Sequence, residues 1–562
     1  MSVPISRLSL LACSALLSAC TAQRAPLVEP VAPAAPVEVQ ILGLNDFHGN
    51  LETPKDPVPL RNADGTTTKF RAGGAAQLTA TLQRLRAGHQ SVTVAAGDLI
   101  GASPLVSAYF LDEPTIRALG LAGLELASVG NHEFDKGAGE LLRIQNGGCD
   151  KFTTRIPCRL EPHAPASFRY LAANVLTEQG TTLFPATAIK QVGPVKLGFI
   201  GMTLKDTATL VTPAGVKGLT FADEAATANA MVPKLKAEGV NAIVLLIHQG
   251  GRVPPIYDTL GCDGLSGEIV PLLGKLDPAI SVVVSGHTHN AYTCTVEAGG
   301  AKRLLTSAGK NGYLVTDIRL TFSPGSNAQL VASKAENVPV LAVADPAVQA
   351  LVARYVEAAR PASERVVGKL VGAAMKDPDD HESSAAELIS DAQLAATRAP
   401  NRGGAQIAFI NASGVRTDLI PRADGTVTYG QIFALQPFGN NLVVKSLTGE
   451  QLKRLLEQQF KVENGKARVG SLLVPSAGFT FRYDLSRPDG QRIVDMSLNG
   501  KPIDPAATYR INVNNFLASG GDGFSVLAEG KDAFDAGLDL DALEAWLATN
   551  PVAPRVGRVS GV

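Results

Sequence analysis

Residues of metal-binding type follow apolar runs at five points in the first half of the chain. Each run is short and rich in β-branched residues, and the polar group comes directly after it. The five groups are Asn45-Asp46-Phe47-His48, Asp98, Asn131-His132-Glu133-Phe134-Asp135, His248 and His287-Thr288-His289. They hold five of the eight histidines, a clustering that scattered core histidines would not give. Imidazole, carboxylate and amide groups without thiolate predict a site for Mn, Zn, Fe or Co.

The elements that position these groups are predicted to be buried strands alternating with helices. Runs such as NAIVLLI and ISVVVSG are continuously apolar, which is typical of strands covered on both faces. Stretches such as GGAAQLTATLQRLRAG are amphipathic and predict helices between the strands. This alternation indicates an α/β domain whose site lies at the carboxyl ends of its strands.

The chain of 562 residues is long enough for several domains. We predict a first domain over residues 38–345, a linker helix over 346–370 and a second, mixed α/β domain over 371–557. The second domain includes IAFINASGVR, GEQLKRLLEQQF and YRINVNNFLASGGDGF. No internal repeat of the kind that builds solenoids is present.

The order and spacing of the first-domain groups resemble the calcineurin-like metallophosphoesterase superfamily over roughly residues 38–335. The pattern is Asp-x-His, Gly-Asp, Gly-Asn-His-Glu, His and Gly-His-x-His, and any one piece alone would be weak. The resemblance implies a four-layer sandwich and a centre of two divalent metal ions. The alternative is a degenerate, metal-free scaffold of this fold, and the complete set of expected ligands argues against it.

The resemblance also implies a role for each ligand. Asp98 is the candidate for the carboxylate that bridges the two ions. The remaining ligands are Asp46, His48 and His289 for one ion, and Asn131, His248 and His287 for the other. Two ions about 3.5–4 Å apart can hold the attacking water and neutralise the phosphoryl oxygens of a phosphate ester.

Two residues of the Gly-Asn-His-Glu-Phe-Asp segment, His132 and Asp135, are left over from this ligand set. In the family the histidine approaches the substrate phosphate, where it stabilises developing charge or assists the leaving oxygen. The aspartate three residues later can accept a hydrogen bond from the other ring nitrogen and orient the imidazole. Asp135 could also cap a helix that starts at Lys136-Gly137.

The second domain resembles the C-terminal domain of bacterial and animal 5′-nucleotidases over about residues 370–557. The motifs that carry the resemblance are Asn411-Ala412-Ser413-Gly414-Val415-Arg416, Gln436-Pro437-Phe438-Gly439-Asn440 and the segment from Asn515 to Phe524. The resemblance implies the following substrate contacts: Phe438 and Phe516 stacked on the base, Arg416 on phosphate, Asn411 on the base or elsewhere on the substrate, and Asp522 on the ribose hydroxyls. The alternatives are core packing for the phenylalanines and a tight turn for the GGDGF loop.

One segment departs from the family pattern. Family members usually carry an arginine ahead of the helical Asp-Ala that matches Asp391-Ala392. Here the arginine is absent, and Asp377, Asp379 and Asp380 stand near its place. We therefore expect nucleoside monophosphates to be preferred over di- and triphosphates, because these carboxylates would repel additional phosphate charge. A basic group such as Lys376 or Arg402 could fill the gap instead.

Residues 1–20 have the basic start and short apolar run of a signal peptide. Leu17-Ser18-Ala19-Cys20 resembles the lipobox of bacterial lipoproteins, which predicts a lipid on Cys20 and, with Thr21 after it, an outer-membrane address. The alternative is an ordinary secretory signal that is cut elsewhere. Residues 21–37 form a Pro/Ala-rich tether, and no later run is apolar enough for a transmembrane helix.

Beyond the signal region the chain has four cysteines, for which three pairings exist. We predict the nearest-neighbour scheme, Cys149–Cys158 and Cys262–Cys294. A cysteine metal site is disfavoured because no close CxxC pair occurs. The net charge of −1 provides no basic field for a nucleic-acid polymer.

The predicted activity is therefore hydrolysis of nucleoside 5′-monophosphates outside the cytoplasm by a dimetal enzyme. Three rival activities keep the dimetal core but change the substrate: UDP-sugar hydrolase, 2′,3′-cyclic nucleotide phosphodiesterase and thiosulfohydrolase. A rival of a different class is a nucleotide-binding lipoprotein without catalysis, which the intact Asp98, Asn131 and His132 argue against.

Overall fold

The computed structural model describes residues 35–561 except residues 56, 63, 154, 258–260, 326 and 464. The predicted signal peptide, Cys20 and nearly all of the tether lie outside these residues. Among the helices of the described part, none is long and apolar enough to cross a bilayer.

The first domain alternates strands and helices in the way that the apolar runs predict. Its strands are β1 Val37–Leu44, β2 Val58–Arg61, β3 Thr67–Phe70, β4 Ser91–Ala96, β5 Leu126–Ser128, β6 Arg169–Leu171, β7 Val175–Leu176, β8 Thr187–Val192, β9 Val195–Met202, β10 Thr220–Phe221, β11 Ala242–Ile247, β12 Ile280–Ser285, β13 Ala291–Ala298, β14 Ala301–Ala308, β15 Leu314–Phe322 and β16 Leu330–Pro339. Its helices are α1 Ala75–Arg86, α2 Leu105–Ala108, α3 Glu113–Leu121, α4 Gly137–Asn146, α5 Thr207–Leu210, α6 Glu224–Ala237, α7 Ile269–Leu273 and α8 Pro346–Ser363, with 3-10 turns at His132–Phe134 and Pro213–Val216.

Two six-stranded sheets form the centre of this domain. The first has the order β16-β15-β1-β4-β5-β6 and the second the order β13-β14-β12-β11-β9-β8. Strands β1, β4, β5 and β6 pair in parallel, as do β9, β11, β12 and β14, whereas β15, β16, β8 and β13 pair antiparallel at the margins. Parallel neighbours bring the carboxyl ends of several strands to one edge of each sheet.

Alternating side chains on the strands build three apolar layers. On β1, Ile41 faces a cluster shared with the second sheet, while Leu42 faces helices α1, α3, α4 and α8. On β11, Leu246 faces the first sheet, while Leu245 packs on α6 and α7. The domain is therefore a helix–sheet–sheet–helix sandwich, and the four-layer prediction is confirmed.

The second domain is a smaller mixed α/β unit. Its strands are β17 Val366–Lys369, β18 Ile407–Asn411, β19 Thr426–Thr428, β20 Asn441–Thr448, β21 Phe460–Glu463, β22 Lys466–Val469, β23 Leu473–Pro475, β24 Phe479–Tyr483, β25 Ile493–Leu498, β26 Lys501–Pro502, β27 Thr508–Asn514, β28 Lys531–Leu538 and β29 Val559–Gly561. Its helices are α9 Ser384–Thr397, α10 Tyr429–Leu435, α11 Gly449–Glu457, α12 Asn515–Ala518 and α13 Asp539–Leu547, with 3-10 turns at Pro400–Arg402, Ala412–Gly414, Gly521–Gly523 and Ser525–Glu529.

A five-stranded sheet of order β23-β18-β27-β20-β28 carries the motifs of this domain. Asn411 ends β18, and Phe516 lies in α12 directly after β27. Because β18 and β27 are parallel neighbours, the two motifs come to the same edge. A second sheet has the order β26-β25-β24-β29, and its strand β29 ends at Gly561, the last described residue.

The two domains meet along α2 and α8. Leu105 and Ala108 of α2 belong to the same apolar cluster as Phe433 of the second domain. Asp345 caps the N-terminus of helix α8, and its side chain accepts hydrogen bonds from the backbone N–H groups of Ala347 and Val348. After α8 the chain enters β17, which pairs with β19, so the connection leads directly into the second domain.

Both disulfides have the predicted pairing. Cys149 is bonded to Cys158, and Cys262 is bonded to Cys294. The nearest-neighbour prediction is confirmed.

Candidate metal centre and interdomain cleft

All seven predicted metal ligands meet where the carboxyl ends of the two sheets converge. Asp46, His48, Asp98 and Asn131 follow strands β1, β4 and β5 of the first sheet, and His248, His287 and His289 follow β11 and β12 of the second. Two groups of possible ligand atoms each lie within 4.8 Å of one another: Asp46, His48 and His289, and Asp98, His248 and His287. The Oδ1 atom of Asn131 is 3.1 Å from Nδ1 of His287, which brings the amide to the second group.

The hydrogen bonds of two histidines show that the centre suits cations. The Nδ1–H of His248 donates to the carbonyl of Ala96 (2.7 Å), and that of His48 donates to the carbonyl of Gly101 (3.0 Å). With Nδ1 engaged in this way, each ring directs Nε2 into the site. Nε2 of His248 lies 2.9 Å from Oδ2 of Asp98. Burial opposes the charged imidazole, but Asp98 outweighs it and raises the pKa of His248 to about 9. A metal cation held between the two groups would take the place of this proton.

The charge states of these groups also suit metal binding. Burial lowers the pKa of His287 to about 3, so its imidazole is neutral. Burial also holds the pKa of His48 and His289 well below the usual range. Burial opposes ionisation of Asp98, but His248 and His132 outweigh it and keep its pKa well below normal. The neutral imidazoles of His48, His287 and His289 and the ionised carboxylate of Asp98 are therefore already in the forms that ligate metals.

The backbone at the ligands is held in an unusual conformation. Asp46, His48, Asp98, His287 and His289 all have positive φ, between 47° and 72°. Non-glycine residues seldom adopt this region, and each instance costs on the order of 1–3 kcal/mol. Its recurrence at five of the seven predicted ligands marks the place where the fold stores strain.

A residue that the sequence analysis left without a role, Glu133, holds this loop cluster together. Its buried carboxylate accepts hydrogen bonds from the backbone N–H groups of Asp98 (2.8 Å), Leu99 (2.8 Å) and Gly130 (2.6 Å). It thereby joins the loop after β4 to the loop after β5. The Gly-Asn-His-Glu motif named Glu133, but only the fold shows which N–H groups it meets.

His132 and Asp135 form the predicted side-chain pair. Nδ1 of His132 lies 2.8 Å from Oδ2 of Asp135, and the backbone N–H of His132 donates to Asp98 (2.9 Å). Burial disfavours the charged imidazole, but Asp135 and Asp98 outweigh it and raise the pKa of His132. Helix α4 begins after Lys136 without a side-chain cap, so Asp135 does not cap it.

A cavity of about 610 Å³ connects the metal centre with the second domain. Its wall includes His132 and Asp135 of the first domain and every predicted substrate residue, namely Asn411, Arg416, Phe438, Phe516 and Asp522. The rings of Phe438 and Phe516 are only partly buried. The cleft is therefore one continuous space between metal ligands and aromatic rings.

Hydrogen bonds within the second domain order part of the cleft wall. Oδ2 of Asp522 accepts from Nδ2 of Asn411 (2.7 Å) and from the hydroxyl of Ser413 (2.8 Å). Asp522 itself has φ of 55°, so the GGDGF segment is a strained turn that presents a carboxylate. Asn411 thus orients Asp522 as well as lining the cavity.

The acidic stretch that replaces the family arginine is partly neutralised. Lys376 forms an ion pair with Asp380 (2.8 Å), and Asp377 accepts from the backbone N–H groups of Asp379 and His381. Lys310, which follows β14, is a cation that the sequence did not indicate. It lies close enough to Asp380 for their charges to interact. Burial and the nearby Arg416 lower the pKa of Lys310 to about 8.

The sandwich, the two ligand groups and the adjoining cleft define a two-domain protein of the calcineurin-like phosphoesterase fold with a candidate dimetal centre. The calcineurin-like phosphoesterase family matches residues 39–291, and the 5′-nucleotidase C-terminal domain family matches residues 365–529. The chain belongs to the 5′-nucleotidase family.

Individual proteins resemble the chain over most of its length. A cell wall protein, Lmo0130, of Listeria monocytogenes is 31% identical over 89% of this chain and 66% of its own length. The endonuclease YhcR of Bacillus subtilis is 29% identical over 87% of this chain and 38% of its own length. The chain therefore spans less than two thirds of these two relatives. The crystal structure of a 5′-nucleotidase precursor from Thermus thermophilus is 28% identical, covers 94% of this chain and 99% of that one, and has a TM-score of 0.75.

Proposed function

We propose that the chain is a metal-dependent phosphoric monoester hydrolase that cleaves phosphate from nucleoside 5′-monophosphates. The observation that carries the proposal is the single cavity that joins His132 to Phe438 and Phe516. A phosphate at the metal centre and a base between aromatic rings would occupy its two parts. The similarity to a 5′-nucleotidase precursor over nearly the whole chain supports the same activity.

Each residue then has a role in binding or positioning. Asp46, His48 and His289 would hold one divalent ion, Asn131, His248 and His287 would hold a second, and Asp98 would serve both. Bound there, the two ions would supply a nucleophilic water and neutralise charge on the phosphoryl oxygens. His132 donates from Nε2 toward the phosphate, because Asp135 holds its Nδ1–H (2.8 Å) and so fixes the ring.

The second domain binds the remainder of the substrate. The planar guanidinium of Arg416 suits bidentate contact with phosphate oxygens. Phe438 and Phe516 stack on the base, which contributes about 1–3 kcal/mol per base for any base type. Asp522, held by Asn411 and Ser413, accepts hydrogen bonds from the ribose hydroxyls.

A substrate panel with added Mn or Zn tests this function. It compares AMP, UDP-glucose, a 2′,3′-cyclic nucleotide, thiosulfate-type sulfur compounds and a simple aryl phosphate. We expect the highest kcat/KM with AMP, because it places a terminal phosphate at the metal centre and a base between the rings, without the sugar of UDP-glucose or the ring-closed phosphate of a cyclic nucleotide. A higher kcat/KM for any other member would assign the site to that substrate. Binding of AMP without turnover would make the chain a nucleotide-binding lipoprotein.

We also propose that the chain is exported and anchored to the outer membrane through a lipid on Cys20. Two disulfides in the described residues support export, since disulfides persist in oxidising compartments. Replacement of Cys20 by Ser should move the protein from the membrane fraction to a soluble or unprocessed form. Unchanged membrane partitioning would refute the anchor.

A further inference from the structure

The loop between Cys149 and Cys158 is fixed at its base by a buried network. Arg143 of α4 donates to the carbonyl of Gly148 (2.9 Å) and pairs with Glu113 (2.8 Å). Glu113 in turn accepts the backbone N–H of Cys158 (2.9 Å). The disulfide therefore joins two segments that one buried ion pair already holds, so both ends of the loop are anchored.

Arg155, carried by this loop, reaches from the metal-binding domain to the second domain. Its Nη1 donates to the carbonyl of Ala108 in α2 (2.9 Å), and its guanidinium carbon lies 5.2 Å from the ring centroid of Phe433. Its Nη2 lies beside Gly439, where a Cβ would come within 3.4 Å of it. The guanidinium therefore lies beside the backbone of the residue that follows Phe438, and it lines the same cavity as Phe438 and Phe516.

The guanidinium of Arg155 has N–H donors that no protein group among the described residues accepts. Within the described part of the chain, no carboxylate forms an ion pair with it, and the Ala108 carbonyl is its only hydrogen-bond acceptor. Burial lowers the pKa of Arg155, but a guanidinium remains charged and carries five N–H donors and no acceptor. Donors at the cavity wall without a protein acceptor are available to a ligand that enters this cavity.

We propose that Arg155 is a specificity-determining residue that donates to two acceptor atoms on one edge of the base and so favours 6-oxopurine nucleotides. The proposal rests on the proposed nucleotidase function. Guanine and hypoxanthine present O6 and N7 as neighbouring acceptors, whereas adenine presents N7 beside an amino donor. A donor-only group matches the first edge and opposes the second. Stacking by Phe438 and Phe516 accepts any base, so discrimination comes from the edge contact.

The test compares IMP with AMP, which differ at position 6 of the purine. We expect the native enzyme to have a kcat/KM about tenfold higher for IMP than for AMP. Arg155→Ala should bring this ratio close to one, and Arg155→Lys should lower it, because lysine lacks the planar pair of donors. Turnover of an aryl phosphate that does not reach the base pocket is measured in parallel, and it reports any effect of either variant on the metal centre.

A matched control is Arg159, which follows the same disulfide. Its guanidinium stacks on Tyr109 at 4.1 Å and donates to the tyrosine hydroxyl, and it is not part of the cavity wall. Arg159→Ala should keep the native ratio of IMP to AMP. If Arg159→Ala also brings the ratio close to one, the preference for IMP does not depend on a contact between Arg155 and the base, and the proposal is wrong.

Two further results would overturn the proposal. One is a native enzyme with equal kcat/KM for IMP and AMP, and the other is an Arg155→Ala variant that keeps the native ratio. Failure of the nucleotidase function itself looks different, since the metal-loaded enzyme would then hydrolyse the aryl phosphate but neither nucleotide.

Discussion

The imidazole of His132 and the ring of Phe438 lie nearly parallel, with 13° between their planes and 6.0 Å between their centroids. The two residues come from different domains. The guanidinium carbon of Arg416 lies 5.8 Å from the centroid of the same Phe438 ring. The group proposed to contact the reacting phosphate and a group proposed to bind the base therefore share one aromatic contact, and we expect this contact to couple substrate selection to the positioning of His132.

Because of this contact, we expect substitutions of the two proposed base-binding rings to have different kinetic effects. Phe516→Ala should raise KM for AMP about tenfold, because one stacking surface is lost, and leave aryl phosphate turnover unchanged. Phe438→Ala should also lower kcat, since His132 loses its neighbour. Steady-state kinetics on both substrates checks this. Equal losses on AMP and aryl phosphate for Phe516→Ala would instead indicate a folding defect.

Metal removal should abolish activity and lower thermal stability. A chelator removes the cations that join ligands from the two sheets, and it releases the positive-φ ligand loops from their restraint. Activity and Tm should both return when Mn or Zn is added back. Asp98→Ala should resist this rescue and lose on the order of 10²–10³ in kcat. Full activity in metal-stripped protein would contradict the dimetal mechanism.

Glu133→Gln should weaken metal binding by about 10–100-fold. The amide NH₂ group would face backbone N–H groups whose hydrogen bonds the carboxylate accepts in the native protein. Metal titration of the stripped protein by calorimetry measures this directly and separates it from an effect on turnover. The matched control is Glu125→Gln, since Glu125 pairs with Lys190 at the partly exposed edge of the domain. Native metal affinity in Glu133→Gln would show that the loops hold their geometry without it.

The stability of the second domain should depend on the charge of Glu387. Burial, and then a contact with Glu382, raises its pKa to about 8 despite the nearby Arg558. A carboxyl whose pKa is raised by folding stabilises fully below its unfolded pKa, and this contribution is lost as the pH rises toward 8. Glu387→Gln stays neutral, so it should be more stable than the native protein at pH 9 by on the order of 1–3 kcal/mol. Denaturant unfolding at pH 5 and pH 9 checks the sign, and a smaller advantage at pH 5 is required.

We expect AMP to be preferred over ADP and ATP, with a gap that shrinks as salt rises and screens the acidic stretch. Lys376 offsets part of this repulsion through its ion pair with Asp380. Lys376→Ala should therefore lower kcat/KM for ADP more than for AMP. Measurements at two ionic strengths test both statements. Efficient ATP hydrolysis at low salt by the native enzyme would show that Lys310 and Arg416 already replace the missing arginine.

The meeting of the seven predicted ligands could be anticipated because each follows a strand, and parallel strands present their ends at one edge. The disulfide pairing also followed from short separations along the chain. Glu133, Lys310 and Arg155 could not be assigned in this way. Their roles depend on which backbone N–H, carbonyl or ring from another segment lies beside them, and no local periodicity encodes such contacts. The same holds for strand β29, whose three residues gain their conformation only by pairing with β24.

The order of strands in the first sheet has a consequence for how the chain folds. Strand β1 lies between β4 and β15, and Gln40 of β1 bonds to Asp317 of β15, 277 residues later. The whole second sheet, from β8 to β14, is synthesised between these partners. One edge of β1 thus stays open until the last strands arrive, and such long-range pairing slows folding. His248, His287 and His289 are also synthesised after the other four predicted ligands. The nascent chain therefore holds an incomplete ligand set, and all seven ligands can meet only when both sheets have formed.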